Sequence, residues 1–221
     1  MKSNRSFKAA IFDMDGVIVD NHHFHVKSWE VFCKKYNIPF EENEFRSKYF
    51  GKTNQDIFKE MAGNKLTREQ IDNLGEEKEQ IYRDIYKDFI APVDGLIPFL
   101  NMLRSSGIKT AVATSAPTSN LDFVLDNLKV RHLFDAIVDA SMVSKGKPDP
   151  EIYLKAAEKL DIKPQQCVVF EDSISGIKSG QSAGMVVVAL ATTHQPNELP
   201  KTPLVVKNFN ELTIDSIIFI Q

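Results

Sequence analysis

Asp13 and Asp15 stand two residues apart at the end of an apolar run, in the stretch AAIFDMDGVIVD of residues 9 to 20. Residues two apart in an extended chain project to the same side, so the two carboxylates share one space, and the Met14 carbonyl is offered there as well. Taking an ionised carboxylate out of water is costly unless a cation or a set of hydrogen bonds meets it. Two together need a common partner, and a metal ion that prefers oxygen ligands is the one such donors suit. Taken alone, the pair is better read as a turn cap before Gly16 with one solvated acid.

Three further places carry matching chemistry. AVATSAP puts Thr114, Ser115 and Ala116 after an apolar run, where hydroxyls and backbone amides can hold phosphate oxygens. CVVFEDSISG ends its run with Glu171 and Asp172, acids able to complete an oxygen shell around magnesium. SKGKPDPEIY places Lys147 directly before Pro148, where an ammonium can balance aspartate and phosphate charge. Each has a plain reading as a cap, a turn or a solvated side chain. Together they describe one site fed by several strand ends.

The elements that must position these residues are legible. The runs at 8–15, 108–115, 135–140, 167–172, 185–190 and 203–207 are too continuously apolar for half-exposed strands and read as a buried parallel sheet. Amphipathic segments such as LIPFLNMLRSSG and DPEIYLKAAEKLDI lie between them, so the fold class is α/β with a doubly wound sheet. Ligands of such sheets bind outside the carboxyl ends of the strands. Residues 20–91 break the rhythm: they are charged, helix-like and without a convincing strand, with NIPFEEN as a turn inside and APVDGLIP marking the return to the sheet. The expected division is a core of 1–19 and 92–221 with a helical insertion at 20–91.

Composition narrows the class. The 221 residues include 43% hydrophobic and 26% charged residues with a formal net charge of -3, an ordinary globular balance that gives no reason to expect nucleic acid as a partner. Cys33 and Cys167 are isolated, which suits neither a disulfide scaffold nor a zinc site and points to a reduced, cytoplasmic setting. The longest apolar runs fall well short of the roughly 20 residues that cross a bilayer. A monomer without membrane attachment is expected.

With DMDGV, TS, K before PDP, and EDSISG in this order, the sequence resembles the haloacid dehalogenase superfamily of phosphotransferases along essentially its whole length. The resemblance implies a Rossmann-like core with an inserted helical cap after the first motif. It implies Asp13 as the nucleophile that becomes an aspartyl phosphate, Asp15 as general acid and base, and Thr114 and Lys147 as phosphoryl binders. It also implies Mg²⁺, held by Asp13, Asp172 and a backbone carbonyl, that of Met14 or of Asp15, with Glu171 near the ion or acting through its water shell. The chemistry agrees: Asp13 must attack as a carboxylate, while Asp15 must be protonated for the leaving alkoxide and deprotonated for the water.

Within the superfamily the sequence is similar to β-phosphoglucomutase and its phosphatase relatives. DNHHFHVKSW matches that subgroup and implies a place at the cap and core junction for His25 and Trp29, the latter reading equally as a buried helix residue. YFGKTNQDIF keeps Gly51 and Thr53 of the substrate loop, but Asn54 stands where the mutase has an arginine, and Pro117 where it has a lysine. A mutase must hold one phosphate while transferring another, so losing those cations favours hydrolysis, although Lys52 offers a substitute charge. The expected substrate contacts are Gly16, Ser115, Ala116, His25, Trp29, Gly51, Lys52, Thr53 and Asn54, with Lys78 a further cap candidate. The expected activity is Mg²⁺-dependent hydrolysis of a small phosphorylated metabolite, a sugar phosphate or pyrophosphate. A phosphohexomutase is the alternative, and a non-catalytic phosphoryl-binding module the reading from another class. FGKT is not a phosphate-binding P-loop, because Arg46 stands where that loop needs glycine.

Overall fold

The computed structural model describes residues 7–49, 53–63, 65–218 and 220. The chain divides into two compact units, one of Met1–Asp20 with Ile90–Gln221 and one of Asn21–Phe89.

The first unit is built on six parallel strands: β1 (Ala9–Phe12), β2 (Lys109–Ala113), β3 (Ala136–Val138), β4 (Cys167–Glu171), β5 (Val186–Leu190) and β6 (Leu204–Val206). Their order across the sheet is β3-β2-β1-β4-β5-β6. All six apolar runs of the sequence are strands. β1 and β4 are buried along their whole length, as strands covered on both faces must be. Side-chain alternation sorts the sheet into two faces. Ile11, Ala111, Val169 and Val187 pack with Ile152 and Tyr153, while Phe12 and Phe170 stack on the other face with ring centres 4.7 Å apart. Phe99 and Phe209 close that second face around them.

Position in the sheet decides what meets what. Ile11 pairs with Ala111 on one side and with Val169 on the other, so β1 is central between β2 and β4. The chain leaves β1 toward β2 and later crosses back to β4, which makes the carboxyl end of β1 the point where the strand order reverses. Asp13, Thr114 and Asp172 follow directly on these three strands, and the Asp13 N–H extends the ladder by donating to the Phe170 carbonyl at 3.0 Å.

The second unit contains α1 (His22–Lys35), α2 (Glu42–Tyr49), α3 (Asn54–Ala62) and α4 (Arg68–Tyr86), with no strand among its described residues. Its core gathers Trp29, Phe32, Ile57, Phe58 and Ile71. Thr67 and Gln70 form a reciprocal capping box at the start of α4. The sequence did not announce α2, because NIPFEEN reads as a turn. The Glu41 carboxylate accepts the backbone N–H groups of Asn43 at 3.1 Å and Glu44 at 2.7 Å, and so starts a helix there. The first unit adds α5 (Leu96–Ser105), α6 (Thr118–Asn127), α7 (Glu151–Leu160), α8 (Ile174–Ser182) and α9 (Ile214–Ile218). No helix among the described residues is long and apolar enough to cross a membrane.

Candidate active site

Beyond β1 the chain turns at once. The Met14 carbonyl accepts N–H groups from Ile18 at 2.8 Å, Val19 at 3.2 Å and Val17 at 3.3 Å. That carbonyl therefore serves the turn. Gly16 has φ of +78°, and a Cβ there would overlap the Asp172 carboxylate. Glycine is thus required twice, by the backbone conformation and by the acid packed against it.

Asp13, Glu171 and Asp172 come together as the sequence predicted: a carboxylate oxygen from each lies within 4.8 Å of the others. The Lys147 ammonium joins them, donating to Asp13 Oδ1 at 2.8 Å and Glu171 Oε1 at 2.6 Å. All four side chains are deeply buried.

Glu171 is the most constrained of the acids. Its Oε1 accepts from Lys147 and from the Tyr153 hydroxyl at 3.0 Å, and its Oε2 accepts from the Ser173 N–H at 2.8 Å and hydroxyl at 2.9 Å. A carboxylate offers about four acceptor sites, and these bonds use them. Gly176 makes room for this packing, since a Cβ there would overlap the same carboxylate. Asp172 accepts from the Thr193 hydroxyl, and Thr192 donates to the Gly16 carbonyl at 2.6 Å. The loop after β5 thereby holds both the β1 turn and the acid after β4.

Electrostatics test the fit of a metal ion. Burial pushes the Asp13 carboxyl up to about 7 against the pull of Lys147, with the Glu171 and Asp15 charges adding to the rise. Burial also pushes Asp172 well above the usual carboxylate range, reinforced by Glu171 and Asp13. Burial alone would lower the Lys147 ammonium, but the Asp13 and Glu171 charges outweigh it and hold it well above its usual range. One ammonium thus faces three buried acids and cannot by itself offset their ionised forms. An all-oxygen donor set that needs further positive charge to ionise suits a small hard dication.

Thr114 is fully buried, and its hydroxyl accepts the Ala116 N–H at 3.0 Å. The Ala116 amide, expected to face phosphate, is used inside the loop in this structure. Ser115 is exposed at the same strand end. Asp15 is half-buried and bridges to Val19.

In the helical unit, Thr53 is the cap of α3, accepting the Asp56 N–H at 3.2 Å. Asn54 donates to Glu79 at 2.6 Å, and Lys78 bonds Glu79 at 2.9 Å and the His25 ring at 3.0 Å. His25 stacks on Tyr82 with ring centres 3.9 Å apart. Trp29 is 4% exposed and packs against Phe32, Phe45 and Phe58, so core packing accounts for it without a ligand. Gly51 and Lys52 lie outside the described residues. Sequence reasoning missed Tyr153, Ser173 and Thr193. Ser173 was open to it as a serine between a strand end and a helix, and Thr193 as a hydroxyl after the β5 strand end.

The sequence matches the haloacid dehalogenase-like hydrolase family over residues 10–190. The chain belongs to that family. It is 32% identical over 216 residues to β-phosphoglucomutase of Bacillus subtilis, a match spanning 94% of this chain and 92% of that protein. It is 28% identical over 206 residues to the validoxylamine A 7'-phosphate phosphatase of Streptomyces hygroscopicus subsp. limoneus, spanning 93% and 96%. Among solved structures, a haloacid dehalogenase hydrolase of family IA, variant 3, from Entamoeba histolytica superposes with a TM-score of 0.90 at 31% identity, covering 97% of this chain and 99% of that one. The family and the fold class expected from the motifs both hold: this haloacid dehalogenase-like hydrolase has a doubly wound parallel core and a helical insertion.

Proposed function

We propose that this hydrolase is a Mg²⁺-dependent phosphatase of small phosphorylated sugars or related polyols, working through an aspartyl phosphate on Asp13. The observation that carries the reading is the cluster at the β1 and β4 ends, where a buried aspartate is met by Lys147 and lies beside Asp172. Asp13, Asp172 and the Asp15 carbonyl would hold Mg²⁺, which when bound supplies neutralising charge for the substrate phosphate and the acids. Glu171, whose oxygens are already bonded, would act outside that set of ligands.

In this reading an Asp13 carboxylate oxygen forms a bond to phosphorus as the ester P–O bond breaks. Asp15 gives its proton to the leaving alkoxide. Asp15 then takes a proton from water, whose oxygen attacks the phosphorus and releases inorganic phosphate and the Asp13 carboxylate. Lys147 and Thr114 hold phosphoryl oxygens, with Gly16 and Ser115 lining the same strand ends.

A phosphomutase is the second reading, favoured by the identity to the Bacillus subtilis mutase. What supports hydrolysis instead is the charge balance of the insertion. The buried Lys78 ammonium is matched by Glu79, and Asn54 is bonded to that same carboxylate. A second phosphate would find this cluster already neutralised. Phosphate release from a panel of sugar phosphates, polyol phosphates, pyrophosphate and bisphosphates, with Mg²⁺ and with chelator, tests the proposal. Metal-dependent release from monophosphates is expected. Interconversion of β-glucose 1-phosphate and glucose 6-phosphate with a bisphosphate activator, without net release, would decide for the mutase.

A further inference from the structure

Tyr153 has no part in the chemistry just described, yet its fully buried hydroxyl donates to Glu171 Oε1 at 3.0 Å, the oxygen that also accepts from Lys147 at 2.6 Å. Its ring lies beneath the ammonium, with Lys147 Nζ 5.0 Å from the ring centre. We infer that Tyr153 is a positioning residue for the Lys147–Glu171 pair, fixing through its hydroxyl where the ammonium meets Asp13.

Two carboxylates compete for one cation. Lys147 is shared between Asp13 and Glu171, and a carboxylate with fewer donors attracts the shared ammonium more strongly. The Tyr153 hydroxyl and the two Ser173 donors satisfy Glu171 from three directions, so that Lys147 keeps its bond to Asp13. Geometry reinforces this, because Lys147 and Tyr153 belong to one segment of chain. Lys147 lies four residues before α7 and Tyr153 in its first turns. Ser179 of α8 donates to the Asp149 carbonyl at 2.6 Å between them, and the Glu151 N–H is tied to Asp149 Oδ1 at 3.0 Å. The ammonium and the hydroxyl are thereby carried as one rigid unit onto Glu171. Burial and the Glu171 charge push the phenol well above its usual range, so it remains a donor.

Replacing Tyr153 by Phe keeps the ring, its packing and its face toward Lys147, and removes the hydroxyl alone. With the parent as reference, the test measures the Mg²⁺ concentration that half-saturates the rise in melting temperature, and kcat and KM for the best monophosphate of the panel. The activity arm rests on the proposed function, whereas the melting arm needs no turnover. A parent that hydrolyses nothing would overturn the proposed function and leave the melting arm to decide this inference. The expected result for Tyr153→Phe is about a 10-fold higher half-saturating Mg²⁺ and about a 10-fold lower kcat at little-changed KM. The Glu171→Gln variant and the Glu171→Gln, Tyr153→Phe double variant complete the cycle, and the double is expected to be no worse than Glu171→Gln alone. A Phe variant that matches the parent in metal response and turnover would reduce Tyr153 to a packing residue. Losses that add in the double variant would equally overturn action through Glu171.

Discussion

Burial at Asp13 costs stability, and in the proposed function it serves reactivity. The carboxyl is raised to about 7 because it is taken out of water beside Glu171 and Asp15 with only Lys147 to oppose the effect. Asp13→Asn removes the oxygen proposed to attack, and that charge, at nearly constant volume. It is therefore expected to abolish phosphate release while the metal-free protein at pH 8 melts no lower than the parent, and a few degrees higher if relief of the charge dominates. Turnover by the purified variant comparable with the parent would sink the assigned role of Asp13. Gly16→Ala should act in the opposite sense on the fold: its methyl meets the Asp172 carboxylate at a backbone angle alanine resists, so melting temperature and metal response should both fall. Asp13 was legible in the sequence because matching polar residues stand at several strand ends in order; the aspartate pair alone reads as a turn cap. Tyr153 was not, because a tyrosine on an apolar helix face is ordinary until the fold brings it onto Glu171.

Strands proved easier to read than helices, for a physical reason. Strands buried on both faces need side chains that are apolar almost without interruption, and the runs of β1, β4 and β5 had that form. The helix α2 has only Phe45 and Tyr49 as apolar residues, and its start depends on a side-chain cap rather than on periodicity. The loop before α7 shows the same dependence on a cap. The Glu151 carboxylate accepts the Ser144 N–H at 3.0 Å, the Ser144 hydroxyl at 2.8 Å and the Lys145 N–H at 2.9 Å, which places the chain just ahead of Lys147. The Ser144 hydroxyl and N–H lower the Glu151 carboxyl from 4.5 to about 2. A depressed acid contributes stability that is present above its unfolded value and lost as pH falls through the folded one. The melting-temperature gap between the parent and Glu151→Gln is therefore expected to be level above about pH 5 and to close toward pH 2. A gap independent of pH across that window would show that the carboxylate charge does not hold this loop.

The molecule as a whole places an excess of buried acid at the centre of a sheet, and a helical unit is inserted directly after the first of those acids. Both ends of the insertion return to the same part of the first unit: Val19 bridges to Pro92, and the Val93 N–H donates to the Ile18 carbonyl at 2.9 Å. Joining Asp20 to Ile90 through a short flexible linker should thus leave the α/β unit cooperatively folded by circular dichroism and thermal melting. Failure to fold would mean that the sheet depends on the insertion. The acid cluster sets how stability responds to pH and metal. Asp13 has a folded-state value raised from 3.8 to about 7, so the folded chain binds its proton more tightly than the unfolded chain. That contribution is fully present below the unfolded value and is lost as pH rises through the folded one. A dication held by the cluster would take the place of the proton, so the gain from Mg²⁺ should grow across the same window. At a concentration about 100 times its dissociation constant, a ligand adds about 2.7 kcal/mol, or about 5–10 °C for a chain of this size. Melting curves at pH 5 and pH 8, each with Mg²⁺ and with chelator, measure this directly. A rise at pH 8 that shrinks at pH 5 and disappears in Asp13→Asn is the expected pattern, and an equal rise at both pH values would place the metal on groups other than Asp13.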